Sequence, residues 1–148
     1  MSDSKLLDIS NARTEEQRVL MEQIQKDGIC PFCAEYFSKY HPKPIIKETD
    51  YWFFSENMSP YEGTKYHFIF VYKPSHIEGP GEMSAEASSD LFSLLSWATK
   101  TYNIPGGSFF MRFGKSKYTG SSVAHLHAHL LMGDIDAPGH EAVRVKLG

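Results

Sequence analysis

Ser121-Ser122-Val123-Ala124-His125-Leu126-His127-Ala128-His129-Leu130-Leu131 sets histidine against small or apolar residues three times over. That is the period of a β-strand, and a strand over Val123–Met132 puts His125, His127 and His129 on one face. Ala124, Leu126, Ala128 and Leu130 then face the other way, where a helix can cover them. Three imidazoles in a row make a poor core face, because each ring carries polar nitrogens that need partners. The face therefore calls for a metal, a ligand or both; the bland alternative is an exposed histidine-rich strand with adventitious metal affinity. Just upstream, Gly120-Ser121-Ser122 is small and rich in N–H and O–H donors, a turn suited to phosphate oxygens.

Outward from this strand, the polar loop Gly114–Gly120 separates it from a second strand, Ser108–Phe113. A helix starts at Ser84, where Ala87, Leu91, Leu94, Leu95, Ala98 and Tyr102 recur at three- and four-residue spacing. Further back, Ile45–Ile46, Tyr51–Phe54 and Tyr66–Tyr72 read as strands. Thr14 and Gln17 make a capping box for a helix running to Lys26, which Gly28 ends. Beyond the histidines, Ala142–Leu147 reads as a last short strand. This order predicts an α+β fold, an antiparallel sheet of about five strands with two main helices.

The chain has 148 residues and no internal repeat, which predicts one domain over 14–148 after a flexible stretch over 1–13. No apolar run reaches membrane-spanning length, and the first ten residues lack the pattern of a signal peptide. A cytoplasmic location is the expectation. The net charge of −3 gives no global field for nucleic acid, so a phosphate-bearing ligand needs local groups to hold it. The two cysteines form the knuckle Cys30-Pro31-Phe32-Cys33. In a reducing compartment such spacing suggests metal binding or redox chemistry. A redox pair prefers its first cysteine at a helix N-terminus, whereas this knuckle follows a helix. His41, His67 and His140 show no comparable pattern and read as surface or hydrogen-bonded histidines.

His125-Leu126-His127-Ala128-His129-Leu130-Leu131 resembles the signature of the histidine triad (HIT) superfamily, three histidines alternating with apolar residues. Gly120-Ser121-Ser122-Val123 is similar to the turn before it, with Ser121 where many relatives carry glutamine. The likeness extends through Lys73-Pro74-Ser75-His76 and Asn57-Met58-Ser59-Pro60 to the CPFC knuckle, covering roughly residues 30–133. Met132-Gly133-Asp134 departs from the ending of one dinucleoside-polyphosphate branch.

The resemblance implies a HIT-like fold and a nucleotide hydrolase that cleaves a phosphoramidate or phosphoanhydride at the α-phosphate. It makes His127 the nucleophile, forming a nucleotidyl-histidine, with His129 and Ser122 assisting at the leaving oxygen. Backbone N–H groups of Gly120, Ser121, Ser122 and Val123 would meet developing charge. Asn57 falls where relatives hold the ribose, Arg112 near a phosphate contact, and Phe54 and Met58 are candidates for flanking the base. Phe54 reads equally well as core. Cys30, Cys33, His76 and His125 correspond to the ligands of a structural zinc ion, a closed Cys₂His₂ set. Relatives are commonly homodimers. A nucleotidyl transferase or phosphorylase, and a nucleotide-binding protein without turnover, stay open beside the hydrolase.

Overall fold

The computed structural model describes residues 6–148. Five antiparallel strands form one sheet: β1 (Ile45–Glu48), β2 (Trp52–Glu56), β3 (Thr64–Tyr72), β4 (Ser108–Arg112) and β5 (His127–Gly133). Their spatial order is β1-β2-β3-β5-β4, so β5 runs between β3 and the edge strand β4. The expected α+β architecture is present. Three helices accompany the sheet: α1 (Glu15–Asp27), α2 (Ala34–Tyr40) and α3 (Ala85–Thr101).

Alternation along the strands divides the core into two layers. Trp52, Phe54, Phe68, Phe70, Ala128 and Leu130 face α3 and pack on Ala87, Leu91, Leu94 and Ala98. Trp52 Nε1–H also donates to the Ala87 carbonyl, pinning β2 to that helix. Ser84 caps α3 by accepting the Ala87 N–H. On the other face, Phe53, Ile69 and Val71 pack with Phe37 of α2, while Met21 and Ile24 of α1 join Leu7 and Val123. His67, His127 and His129 lie on this second face, because they alternate with the α3-facing residues.

Thr14 caps α1 by accepting the Gln17 N–H, and Gln17 Oε1 accepts in return from Arg13 N–H, one residue before the cap. Gly28 closes the helix in the left-handed region, at φ 67°. Of the N-terminal stretch expected to be flexible, residues 1–5 lie outside the described residues. Leu7 is buried and bridges to Val123, and Asp8 N–H donates to the Ser122 carbonyl.

Three local expectations are corrected. The last strand begins at His127 and not at Val123, because the chain bends through Ala124–Leu126 to meet two neighbours: Tyr72 N–H donates to Leu126 O, and Leu126 N–H to Ile77 O. Residues 34–40 are a short helix that the sequence reading left unassigned. Ala142–Leu147 form no strand; the Lys146 carbonyl is taken by the Arg112 guanidinium instead of by a neighbouring backbone.

Candidate functional site

The three histidines are buried, His125 at 1% exposure and His127 and His129 at 5% each, yet they stand in two different surroundings. The bend before β5 carries His125 toward the CPFC knuckle. The Leu126–Ile77 hydrogen bond holds the His76 turn against the same bend. Cys30, Cys33, His76 and His125 thereby come together, with one ligand atom from each within 4.8 Å of all the others.

The nearest approaches are 3.2 Å between the two Nδ1 atoms, 3.5 Å from Cys30 Sγ to His125 Nδ1, and 3.7 Å from Cys33 Sγ to each Nδ1. A tetrahedral ion with metal–sulfur bonds of about 2.3 Å and metal–nitrogen bonds of about 2.05 Å needs donor separations of roughly 3.3–3.8 Å. The set fits. His125 Nε2–H donates to the Tyr72 carbonyl at 2.6 Å, which leaves its Nδ1 lone pair directed at the cluster. His76 Nε2 stands 3.6 Å from Glu78, leaving its Nδ1 on the cluster side as well. Burial pushes the Cys30 thiol up to about 12, so a thiolate there needs a cation beside it. These four residues can hold a metal ion.

His127 and His129 line a separate cavity of about 140 Å³, roofed by α1 and the N-terminal segment. His127 Nδ1–H donates to the His125 carbonyl at 2.7 Å, so the lone pair sits on Nε2. Burial lowers its pKa to about 4, with the carbonyl contact opposing and Arg112 adding to the fall. Phe32 of the knuckle meets this ring edge-on, with centroids 5.0 Å apart. One wall of the His127 environment is thus supplied by the CPFC knuckle.

His129 reveals a residue that sequence reasoning passed over. Tyr61 N–H donates to His67 Nδ1 at 3.1 Å, so His67 carries its proton on Nε2 and donates to His129 Nδ1 at 2.8 Å. His129 must then carry its own proton on Nε2. That is the one buried side-chain polar atom without a partner among the described residues. Burial, followed by the charges of its neighbours, keeps His67 and His129 neutral, His67 at about 3. The available signal was His67 inside Tyr66-His67-Phe68-Ile69-Phe70-Val71, a polar ring in a core strand that needs a partner.

The other expected site residues gather around the same cavity with varying freedom. Asn57 lines it; its Oδ1 accepts Ser59 N–H in a local turn, and its amide nitrogen is 3.2 Å from His67 Nε2. Since both of those nitrogens bear protons, this contact is not a hydrogen bond, and the amide stays available to a ligand. Met58 lines the cavity but Phe54 does not: β2 alternation sends Phe54 into the layer under α3, against Phe68, Phe70 and Trp97.

In the Gly120–Val123 turn, Gly120 N–H donates to Ser116 O, Ser121 N–H to Thr119 Oγ1 and Val123 N–H to Ser121 Oγ. Only the Ser122 N–H is left over by these bonds, narrower than the expected cradle of four. Gly120 has φ 76°, and a Cβ there would stand 2.8 Å from the Lys146 carbonyl. Ser122 Oγ accepts from Gln17 Nε2 at 3.4 Å and lines the cavity. Arg112, directly across β4 from His127, is buried; its guanidinium donates to the carbonyls of Thr119 and Lys146 and to Tyr61 Oη. His41 is a core group, stacked on Phe37 and donating from Nε2 to the Glu56 carbonyl.

No family model matches this chain, and no curated protein sequence does. Solved structures match its fold. One is a histidine triad nucleotide-binding protein from Candida albicans, 18% identical, with a TM-score of 0.56 over 76% of this chain and 84% of that one. Another is a HIT family hydrolase from Clostridium thermocellum, 19% identical, with a TM-score of 0.52 over 71% and 91%. A zinc-bound histidine triad family protein from Mycobacterium smegmatis is 15% identical, with a TM-score of 0.52 over 76% and 80%. At these identities the shared property is the fold, and this chain has the fold of histidine triad proteins. Among the described residues no helix is long and apolar enough to cross a membrane.

Proposed function

We propose that this chain is a histidine triad nucleotide hydrolase that transfers a nucleoside monophosphate from a phosphoramidate or phosphoanhydride to His127, and then to water. The observation that carries this reading is the protonation pattern of two neighbouring rings. His127 offers an unprotonated Nε2, and His129 offers a buried, partnerless Nε2–H beside it, with ring centroids 5.0 Å apart. A lone pair and a donor side by side in one cavity suit nucleophilic attack on phosphorus, with the displaced oxygen met as it acquires charge.

In this reading the His127 Nε2 lone pair forms a bond to the α-phosphorus while the bond to the leaving group breaks. Ser122 N–H and His129 Nε2–H hydrogen-bond the phosphoryl and leaving oxygens. Water displaces His127 in the second step. Asn57 holds the ribose through its amide, and the apolar part of the cavity, with Met21, Ile24 and Phe32, takes the base. Cys30, Cys33, His76 and His125 hold zinc, the ion their two sulfurs and two nitrogens suit best. Bound there, the ion crosslinks the knuckle to the bend before β5 and keeps both thiols as thiolates.

The test is to incubate the protein with a labelled nucleotidyl substrate, quench within one turnover and look for an acid-labile adduct on His127. Turnover that depends on an added phosphate acceptor instead of water would make the chain a transferase. Tight nucleotide binding with neither adduct nor turnover would make it a binding protein.

A further inference from the structure

The cavity that holds His127 and His129 has a volume of about 140 Å³. Roughly 150 Å³ holds one benzene-sized ring, and pockets for whole small molecules run to roughly 300–1,000 Å³. The space suits a base between Met21, Ile24 and Phe32 and is too small for a base, a ribose and a phosphate together. What closes it is a strap, residues 6–13, which lies ahead of α1 and ahead of Cys30, where the likeness to histidine triad sequences begins.

One end of the strap is laid against the turn before β5. Asp8 N–H donates to Ser122 O at 2.9 Å, Ala124 N–H to Leu6 O at 3.0 Å and Asn11 Nδ2–H to Ser121 O at 2.8 Å. Leu7 pairs with Val123 between these bonds and packs on it. Two residues past Asn11, Arg13 donates to the carbonyls of Ser59 and Pro60, and its guanidinium lies 4.3 Å over the Tyr61 ring. Asn57 Oδ1 accepts the N–H of that same Ser59. The strap therefore runs from the turn assigned above to phosphate to the turn assigned to ribose.

Its hold is of a kind that a ligand can replace. Leu7 is the one buried residue of the strap, and its backbone forms a single isolated bridge with no ladder. Segments with so few buried contacts open at much lower cost than a core strand. The remaining links are single side-chain bonds: Ser116 Oγ donates to Asp8 Oδ2 at 3.0 Å, and Lys146 Nζ to Asn11 Oδ1 at 2.6 Å. Helix α1 is anchored separately, by the Thr14 cap and by buried Met21 and Ile24. It can stay in place as the wall of the base site when the strap lifts.

We propose that residues 6–13 are an autoinhibitory strap, and that a nucleoside monophosphate binds by displacing them from the ribose and phosphate side of the cavity. This rests on the nucleotide site assigned above. Lifting the strap uncovers the carbonyl side of the turn before β5 and the Asn57 turn. It also releases Arg13 and the Lys146 ammonium, which line the cavity with Arg144 and suit a phosphate. Strap docking and nucleotide binding are then linked: the apparent affinity is the intrinsic one multiplied by the fraction of molecules with the strap lifted.

The experiment uses the full chain with AMP as the probe. Titration reads the affinity, and amide hydrogen exchange at Asp8 and Ala124, the two backbone donors of the bridge, reads the strap. Leu7→Ala and Asn11→Ala are the loosening variants, one apolar and one polar. Saturating AMP is expected to speed exchange at both amides about threefold or more. Asn11→Ala is expected to bind AMP about threefold tighter than the parent, and Leu7→Ala about tenfold tighter. Exchange that slows or stays the same under AMP, or variants that bind no tighter than the parent, overturns the strap and leaves the nucleotide site standing. If AMP bound neither the parent nor the variants, the nucleotide reading would fall, and the strap with it.

Discussion

His125 and His129 lie four positions apart, both almost fully buried, and they spend their ring nitrogens in opposite ways. His125 has none to spare: one is bonded to the Tyr72 carbonyl and the other faces two cysteines and His76. His129 accepts a hydrogen bond at one nitrogen from His67 and keeps the other buried, without a partner among the described residues. A closed donor set is what a structural ion requires, and a buried donor held without a partner is what a ligand requires. His127 stands between them, tied to the His125 carbonyl on one side and ring to ring with His129 on the other.

Removing the nucleophile should break this division hardest. His127→Ala is expected to lower adduct formation and turnover by at least about 10⁴-fold, with the metal content and melting temperature close to the parent's. A variant that turns over at the parent rate would exclude this mechanism.

Damage on the metal side should show as lost stability. Cys33→Ala or His125→Ala is expected to lose the bound metal and lower Tm by roughly 10 °C or more, since metal binding free energy is folding free energy. Elemental analysis with a thermal melt decides it. A metal-free parent, purified without chelator and with both thiols freely reactive, would show that the four residues are no metal site.

His129→Ala should slow turnover by on the order of 10²–10⁴ with the fold retained. His67→Phe should give a smaller loss by freeing the orientation of the His129 ring. If His67→Phe were as active as the parent, the relay would have no role beyond packing.

Acid should act on stability through the buried histidines outside the donor cluster. His41 and His67 are held down to about 4 and about 3, chiefly by burial, while the unfolded rings take up protons below about 6.5. Between those values the unfolded state binds more protons, so stability falls as the pH drops from about 6.5 toward 4. Melting temperatures across that range should decline, and His41→Gln should flatten the decline; a slope identical to the parent's would exclude His41 as a source. The smallest effect expected is at Asn57, where Asn57→Ala should weaken nucleotide binding by roughly 1 kcal/mol in a titration.

Local pattern carried much of this. The alternation of His125, His127 and His129 with small or apolar residues, the α3 stripe from Ala87 to Ala98 and the Thr14 cap all lie within one element or one turn. Each can be read from adjacent residues because the physics that fixes it is short-ranged. The CPFC knuckle was legible as a ligand pair by its chemistry, and His76 as a ligand only through the family resemblance. Helix α2 escaped because Ala34–Tyr40 is too short to establish a period. Ala142–Leu147 alternates like a strand, yet the fold gives its backbone no ladder, and alternation without a neighbour does not make a sheet.

Tertiary structure alone decided where each histidine stands and which neighbours it meets. The bend at Ala124–Leu126 separates His125 from its neighbours, and it exists because the backbones of Tyr72 and Ile77 claim Leu126. His67 becomes part of the site only because β3 pairs with β5 in a register that sets Ile69 opposite His129 and Val71 opposite His127. The cations of the two chain ends join the cavity for the same reason, since residue 13 and residues 144–146 are neighbours in space alone. Which nitrogen holds a proton depends on partners up to 62 residues away, and no pattern along the chain records such a distance.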